Sequence, residues 1–257
     1  MIKLLSKLLL VVIMNEVLPG VYLINRYSLK SFGNSGYFIK HDGGNLLVDA
    51  PELGKDDEDF IRNNGGISDL FITHIRAFGD ACGIKSRFGA KLIIHEEDAK
   101  LVKGCTPDLK FGSEYALRED TVLIPTPGYS PGSSCLLLKR GKGILFCGDM
   151  FWWGNRDRFS NELMSWPTES DRKTWYLADQ LVLNVNLLDS SIDRMRESAS
   201  NLLKYEFDSL LMSHPNYPPR GRGAVLSGAK ETIAKTLSTE KLSQFTDWKR
   251  EELKKAS

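Results

Sequence analysis

A chain of 257 residues is long enough to bury one large core and has no composition break that calls for a second domain. Its 34 Lys and Arg against 33 Asp and Glu leave a net charge of +1, which excludes a global field recruiting nucleic acid or an acidic membrane. The four cysteines, Cys82, Cys105, Cys135 and Cys147, form no C-x-x-C pair. That excludes an iron–sulfur cluster, a zinc ribbon and a thioredoxin-like site, and the four read as reduced thiols of a cytoplasmic protein.

The N-terminal "MIKLLSKLLLVVIM" carries two lysines and an apolar run from Leu8 to Met14, short of the roughly 20 residues that cross a bilayer. No A-x-A-like cleavage site comes after it. Residues 1–14 read as an extension packed on the domain or as a segment ahead of a start at Met14, and residues 15–257 as one domain with a charged helical tail from Ser227.

Short strands dominate the chain beyond Met14. "GVYLIN", "SGYFIK" and "NLLVD" are β-branched, aromatic or aliphatic runs bounded by Gly, Asn and Asp, with "KHDGGN" as a hairpin turn. A polar helix near Asp56 to Asn63 precedes strand "DLFIT", a helix near Asp80 to Phe88 and strand "KLIIH". Strands "TVLIP", "SCLLLK" and "GILFCG" come next, with "KRGKG" turning between the last two. Two longer helical patterns flank the final strand "SLLMS". Meandering strands with interspersed helices predict an α/β sandwich rather than a purely parallel doubly wound sheet.

Chemistry-bearing residues cluster after strands. "LLVDAP" ends on Asp49, "FITHIRAFGDACG" carries His74 and Asp80, "PTPGYSPGS" surrounds Tyr129, "LFCGDM" carries Asp149 and "LMSHPNYPP" carries His214. Carboxylates and imidazoles converging on one sheet edge suit a hard or borderline cation. Each signal alone is weak, because an aspartate after a strand is commonly a turn or cap residue.

In this order the segments resemble the metallo-β-lactamase superfamily on its glyoxalase II-like side. The resemblance spans residues 18 to 225, and "PTPG.SPGS" to "LFCGD" is its most specific part. The subgroup found with ferredoxin-type domains is similar over Thr73 to His95, where it reads T-H-x-D-D-x-x-D-H, and over "MRESASNLLKYEFDSLLMSH". What the resemblance implies is an αββα sandwich of two similar halves with a one- or two-metal site at the edge between the sheets, where metal-bound hydroxide attacks a carbonyl or similar centre. It further implies His74 as a site-one ligand, Asp80 and His214 as site-two ligands, Asp149 as the bridging carboxylate, and Asp49 as the residue holding the His74 loop.

Three positions depart from that pattern. Arg76 and Ala81 stand where donors are expected in the His74 loop, and Tyr129 stands where "PTPGHTPG" would supply a histidine. A guanidinium has no lone pair for a cation. At ~5 Å and an effective dielectric of ~20 it would repel a divalent ion by roughly 6 kcal/mol. Arg76 could instead pair with Asp80 or Asp149 in place of the metal, with Tyr129 bonding a carboxylate; turned to solvent, it would leave the pocket open.

Two functions stay open. One is a hydrolase-like protein with a degenerate dinuclear site, repurposed to bind a small molecule or a partner. The other is a mononuclear hydrolase of an ester, thioester or lactam-like bond, holding one weakly bound zinc, iron or manganese through Asp80, Asp149 and His214 as its catalytic residues. Arg220 and Arg222 are candidate anion contacts, His41 and His95 read as structural, and Cys82 is a minor candidate donor. Phe151, Trp152, Trp153, Trp166 and Trp175 read as core or as a roof over the pocket.

Overall fold

The computed structural model describes residues 14–24, 35–153, 181–184, 190–214 and 225–238. The expectations for residues 1–13, for Trp166 and Trp175, and for Arg220 and Arg222 lie outside them.

Seven strands form the first sheet in sequence order: β1 (Asn15–Leu18), β2 (Val21–Ile24), β3 (Gly36–Ile39), β4 (Leu46–Val48), β5 (Asp69–Ile72), β6 (Lys91–His95) and β7 (Leu109–Phe111). Strands β1 to β4 pair antiparallel, and β4 to β7 run parallel because helices make the crossovers. These helices are α1 (Lys55–Asn63), α2 (Ala81–Phe88) and the single turn α3 (Glu96–Ala99). The second sheet comprises β8 (Tyr115–Arg118), β9 (Thr121–Pro125), β10 (Ser134–Leu138), β11 (Ile144–Phe146), β14 (Ser209–Leu211) and β15 (Val225–Leu226), in the order β15-β14-β11-β10-β9-β8. β12 (Phe151–Trp153) and β13 (Leu181–Leu183) form a separate ribbon. Helices α4 (Ile192–Leu202) and α5 (Ala229–Ser238) complete the described elements.

Alternation along the strands builds the layers, because successive side chains point to opposite faces. Leu46, Val48, Phe71 and Ile93 of the first sheet meet Leu123, Leu136, Leu138, Phe146 and Leu211 of the second in a central core. The intervening Leu47, Leu70, Ile72, Leu92 and Ile94 face the other way, onto Ile61 of α1 and Ala81 and Ile84 of α2. On the far side, Val122, Cys135, Leu137, Leu145 and Leu210 pack against Met195, Ala199 and Leu202 of α4 and Ile233 of α5. The result is a four-layer αββα arrangement, as the resemblance implied. Burying each large apolar side chain contributes about 1.5–3 kcal/mol, so the alternation itself fixes strand register.

One cysteine expectation is corrected. Cys82 and Cys105 form a disulfide, with Cα atoms 5.6 Å apart, so Cys82 is neither a free thiol nor a metal donor. The first turn of α2 brings Cys82 against the loop after α3, a proximity that a 23-residue spacing does not encode. Cys135 and Cys147 are free and buried, and burial pushes the Cys135 thiol up to about 12 and raises that of Cys147 well above its ordinary value.

Candidate functional site

The parallel pairings set where the site lies. Val48 pairs with Phe71, and Phe146 with Leu211. His74, Asp149 and His214 each come three residues after one of these paired positions, at the carboxyl ends of β5, β11 and β14. Backbone bonds close the edge: Ser134 N donates to Thr73 O (2.8 Å), Ser213 N to Gly148 O (3.0 Å) and Ser35 N to Ser213 O (2.7 Å). Gly148 has φ +55°, and a Cβ there would run into Thr73 Oγ1, so the glycine before Asp149 permits the close approach of β11 to the His74 loop.

At the centre is Asp149, 7 % exposed. His74 Nε2 lies 3.3 Å from its Oδ2, and His214 Nε2 lies 3.3 Å from its Oδ1. Tyr129 donates its phenol hydrogen to Asp149 Oδ2 at 2.9 Å, and its ring stands edge-on to His74 with centroids 4.8 Å apart. The guanidinium of Arg76 lies 5.7 Å from the centroid of the same Tyr129 ring, and Trp152 lies 5.7 Å from the His214 ring.

Asp49 takes up the role of holding the loops. It accepts from Thr73 N (2.8 Å), from Thr73 Oγ1 (2.8 Å to Oδ1) and from Ser213 Oγ (2.9 Å), tying the His74 loop to the His214 loop. Thr73 commits its one hydroxyl hydrogen to Asp49. It therefore accepts from His74 Nδ1–H at 2.9 Å, which turns His74 Nε2 toward Asp149. Neither His74 Nε2 nor Asp149 Oδ1 makes a hydrogen bond by geometry, so their contacts at 3.3 Å are ionic contacts without directed hydrogen bonds.

Electrostatics follow from this packing. Burial pushes the Asp149 carboxyl up, but the facing His214 and His74 outweigh it and hold the carboxyl well below its ordinary value. Burial pulls His74 down, yet Asp149, Asp49 and Asp98 raise it overall, favouring the imidazolium. Asp49 is raised by burial despite the opposing His74 charge and the hydrogen bonds from Thr73 and Ser213.

Two further expected positions, Asp80 and Ala81, stand at the start of α2. Asp80 is the N-cap position of α2, its side chain 58 % exposed and paired with Arg87 (2.9 Å). The chain reaches it through a 3₁₀ turn over Ile75–Ala77 and through Gly79 at φ +40°. Ala81 is fully buried in the core under α2. The structure thus brings together His74, Arg76, Tyr129, Asp149 and His214, with Asp49 behind them, while Asp80 pairs with Arg87 and Ala81 packs under α2.

Sequence reasoning missed Asp98. Wholly buried in α3, it accepts from Ile75 N (2.7 Å), Ser130 Oγ (2.7 Å) and Gly132 N (2.8 Å). The signal available was an acid three residues past a strand-end histidine, which by itself marks only a helix start. His95 accepts from Glu97 N as the cap of α3, and His41 contacts Asp120 at 2.9 Å. Of the aromatic group, Phe151 is core.

Arg76 and Tyr129 lie at the cluster itself, Tyr129 bonds an Asp149 oxygen, and Asp80 pairs with Arg87. Among the described residues no three or more His, Cys, Asp or Glu side chains are grouped so as to hold a metal ion.

No protein-family model and no curated protein matches the chain. Solved structures do. The crystal structure of VMB-1 at pH 5.5 superposes with a TM-score of 0.63 at 15 % identity, covering 90 % of this chain and 96 % of its own. DIM-1 metallo-β-lactamase exposed to ceftazidime gives 0.61 at 17 % identity, covering 87 % and 95 %. A metallo-β-lactamase from Pontibacter korlensis gives 0.60 at 17 % identity, covering 88 % and 96 %. The chain therefore has the metallo-β-lactamase fold.

Proposed function

We propose that this is a hydrolase-like protein of metallo-β-lactamase fold whose dinuclear metal centre has been replaced by a protein-only ion cluster, and whose pocket is repurposed to bind a small molecule or a partner. One observation carries the reading: two imidazoles face opposite oxygens of a buried carboxylate whose remaining bond comes from Tyr129, so Asp149 is compensated by side chains alone. Arg76 adds a fixed positive charge over the Tyr129 ring. The order of the segments from Asp49 to His214 supports the finer placement on the glyoxalase II-like side, and the gap-free alignment over Thr73 to His95 supports the subgroup found with ferredoxin-type domains.

A second reading has one observation in its favour. His74 Nε2 and Asp149 Oδ1 are buried without hydrogen bonds, and imidazole and carboxylate are donor types that suit a divalent ion, although in this arrangement they are not grouped as a metal site. An arginine two residues after the loop histidine does not by itself decide between them. A Cronobacter sakazakii metallo-β-lactamase of this fold (TM-score 0.52, 16 % identity, covering 94 % of this chain and 96 % of its own) is described by a HARLDQ motif.

Metal content after purification without chelator separates the two. The first reading expects well under a tenth of an equivalent of zinc, iron and manganese, and a melting temperature unchanged by EDTA. Near-stoichiometric metal that disappears in Asp149→Ala would return the site to a mononuclear hydrolase using His74, Asp149 and His214. The Cys82–Cys105 disulfide supports an oxidising compartment rather than the cytoplasm expected from cysteine spacing. Among the described residues no helix is long and apolar enough to cross a membrane.

A further inference from the structure

We infer that Asp98 is the positioning residue that sets the distance between the two loops of the candidate site. The inference deepens the proposed function and rests on its placement of Arg76 and Tyr129 in one pocket. His74 and Arg76 sit on one loop, Tyr129 on another, and the loops come from different sheets. A single buried carboxylate joins them. Its Oδ2 accepts from the backbone N–H of Ile75, the residue between His74 and Arg76, and from the hydroxyl of Ser130, the residue after Tyr129. Its Oδ1 accepts from Gly132 N, two residues further along the Tyr129 loop.

Three donors on one carboxylate form a rigid bracket, because hydrogen bonds to a charged acceptor are short and strongly directed. An independent feature shows how closely this bracket is built. A Cβ added at Gly132 would lie 2.6 Å from Asp98 N and 2.8 Å from its Cγ, so only glycine lets the Tyr129 loop seat on the carboxylate. Asp98 is itself held from behind. The segment after α3 is clamped to α2 by the Cys82–Cys105 disulfide and by Lys85, whose Nζ donates to Thr106 O (2.8 Å) and to Asp108 (2.8 and 2.7 Å). The chain of support runs from α2, through the segment that starts at α3, to Asp98, and from there to both loops. Asp149 is contacted by His74, His214 and Tyr129, whereas Asp98 acts through the groups it positions.

The test uses zinc as a ruler. In an Arg76→His/Tyr129→His background, three imidazoles would extend from the two loops Asp98 joins, and a three-histidine zinc site tolerates little change in their spacing. Zinc affinity is measured by competition with a chromophoric chelator, on protein shown by circular dichroism to be fully folded. The background variant binds zinc tightly. Adding Asp98→Asn, which presents an amide N–H₂ where a carboxylate oxygen accepted, weakens zinc by about tenfold or more, the usual cost of losing an outer-shell partner. Adding Ser130→Ala, which removes one of the three bonds, weakens it less. Unchanged zinc affinity in folded Asp98→Asn protein would overturn the inference, as would a background variant that binds no zinc with Asp98 intact. If the wild-type chain already holds stoichiometric zinc, the proposed function fails on that result alone, and the effect of Asp98→Asn on that zinc still decides the role of Asp98.

Discussion

Replacing Asp149 by asparagine removes one charge and keeps the side chain's shape. It leaves His74 and His214 facing a neutral amide at the distance where each now meets a carboxylate oxygen, 3.3 Å. Breaking a buried ion pair by removing one partner costs about 3–5 kcal/mol, since the other charge stays buried without compensation. For a chain of this size that corresponds to a fall in Tm of about 6–20 °C. The pH dependence carries a sign. Asp149 is depressed below 3.8, so its contribution is present above that value and is lost only as pH falls through its lower folded-state value. His74 is raised above 6.5, so its contribution is complete below 6.5 and is lost as pH rises through the folded-state value. Urea unfolding of Asp149→Asn in EDTA therefore shows its largest deficit below pH 6.5 and a smaller one once the pH has risen through the raised folded-state value of His74. A variant as stable as the wild type, or more stable, at the lower pH would refute the reasoning. That outcome marks a cluster of groups held together against their mutual cost, as in a site built to receive an ion.

Three further outcomes are expected. Cys82→Ser with Cys105→Ser, or reduction of the wild type, lowers unfolding free energy by about 3 kcal/mol from the loop of 23 residues that the bond closes, read as a loss of Tm under dithiothreitol. Asp80→Ala changes stability by at most about 1 kcal/mol, because its ion pair with Arg87 is at the surface, and it leaves the His74 imidazole resonances in NMR spectra unmoved. Gly148→Ala costs about 1–3 kcal/mol by chemical denaturation, since it combines a left-handed backbone with a collision at Thr73.

The strands were legible because runs such as Leu46–Val48 and Leu136–Leu138 mark buried strands locally, while the αββα order came from the resemblance; which of these aliphatic side chains faces the other sheet and which a helix is set by packing. His74, Asp149 and His214 were legible as strand-end residues because a strand fixes the position of the residues after it by a constant offset, and their roles came from the resemblance. For Asp80 that offset does not apply, because the chain leaves extended geometry in the 3₁₀ turn and at Gly79, φ +40°, before reaching it. Phe78, between them, turns toward the core under the helices. Asp98 and the disulfide were invisible because each acquires its meaning from groups far away in sequence. For Asp98 these are Ser130 and Gly132, and for Cys82 it is Cys105.

The central claim is that side chains, and no ion, balance Asp149. Titrating chelator-stripped wild-type protein with zinc by calorimetry tests it most directly. The account predicts no saturable binding at micromolar zinc and no gain in Tm. Stoichiometric binding that raises Tm and vanishes in Asp149→Ala would contradict it.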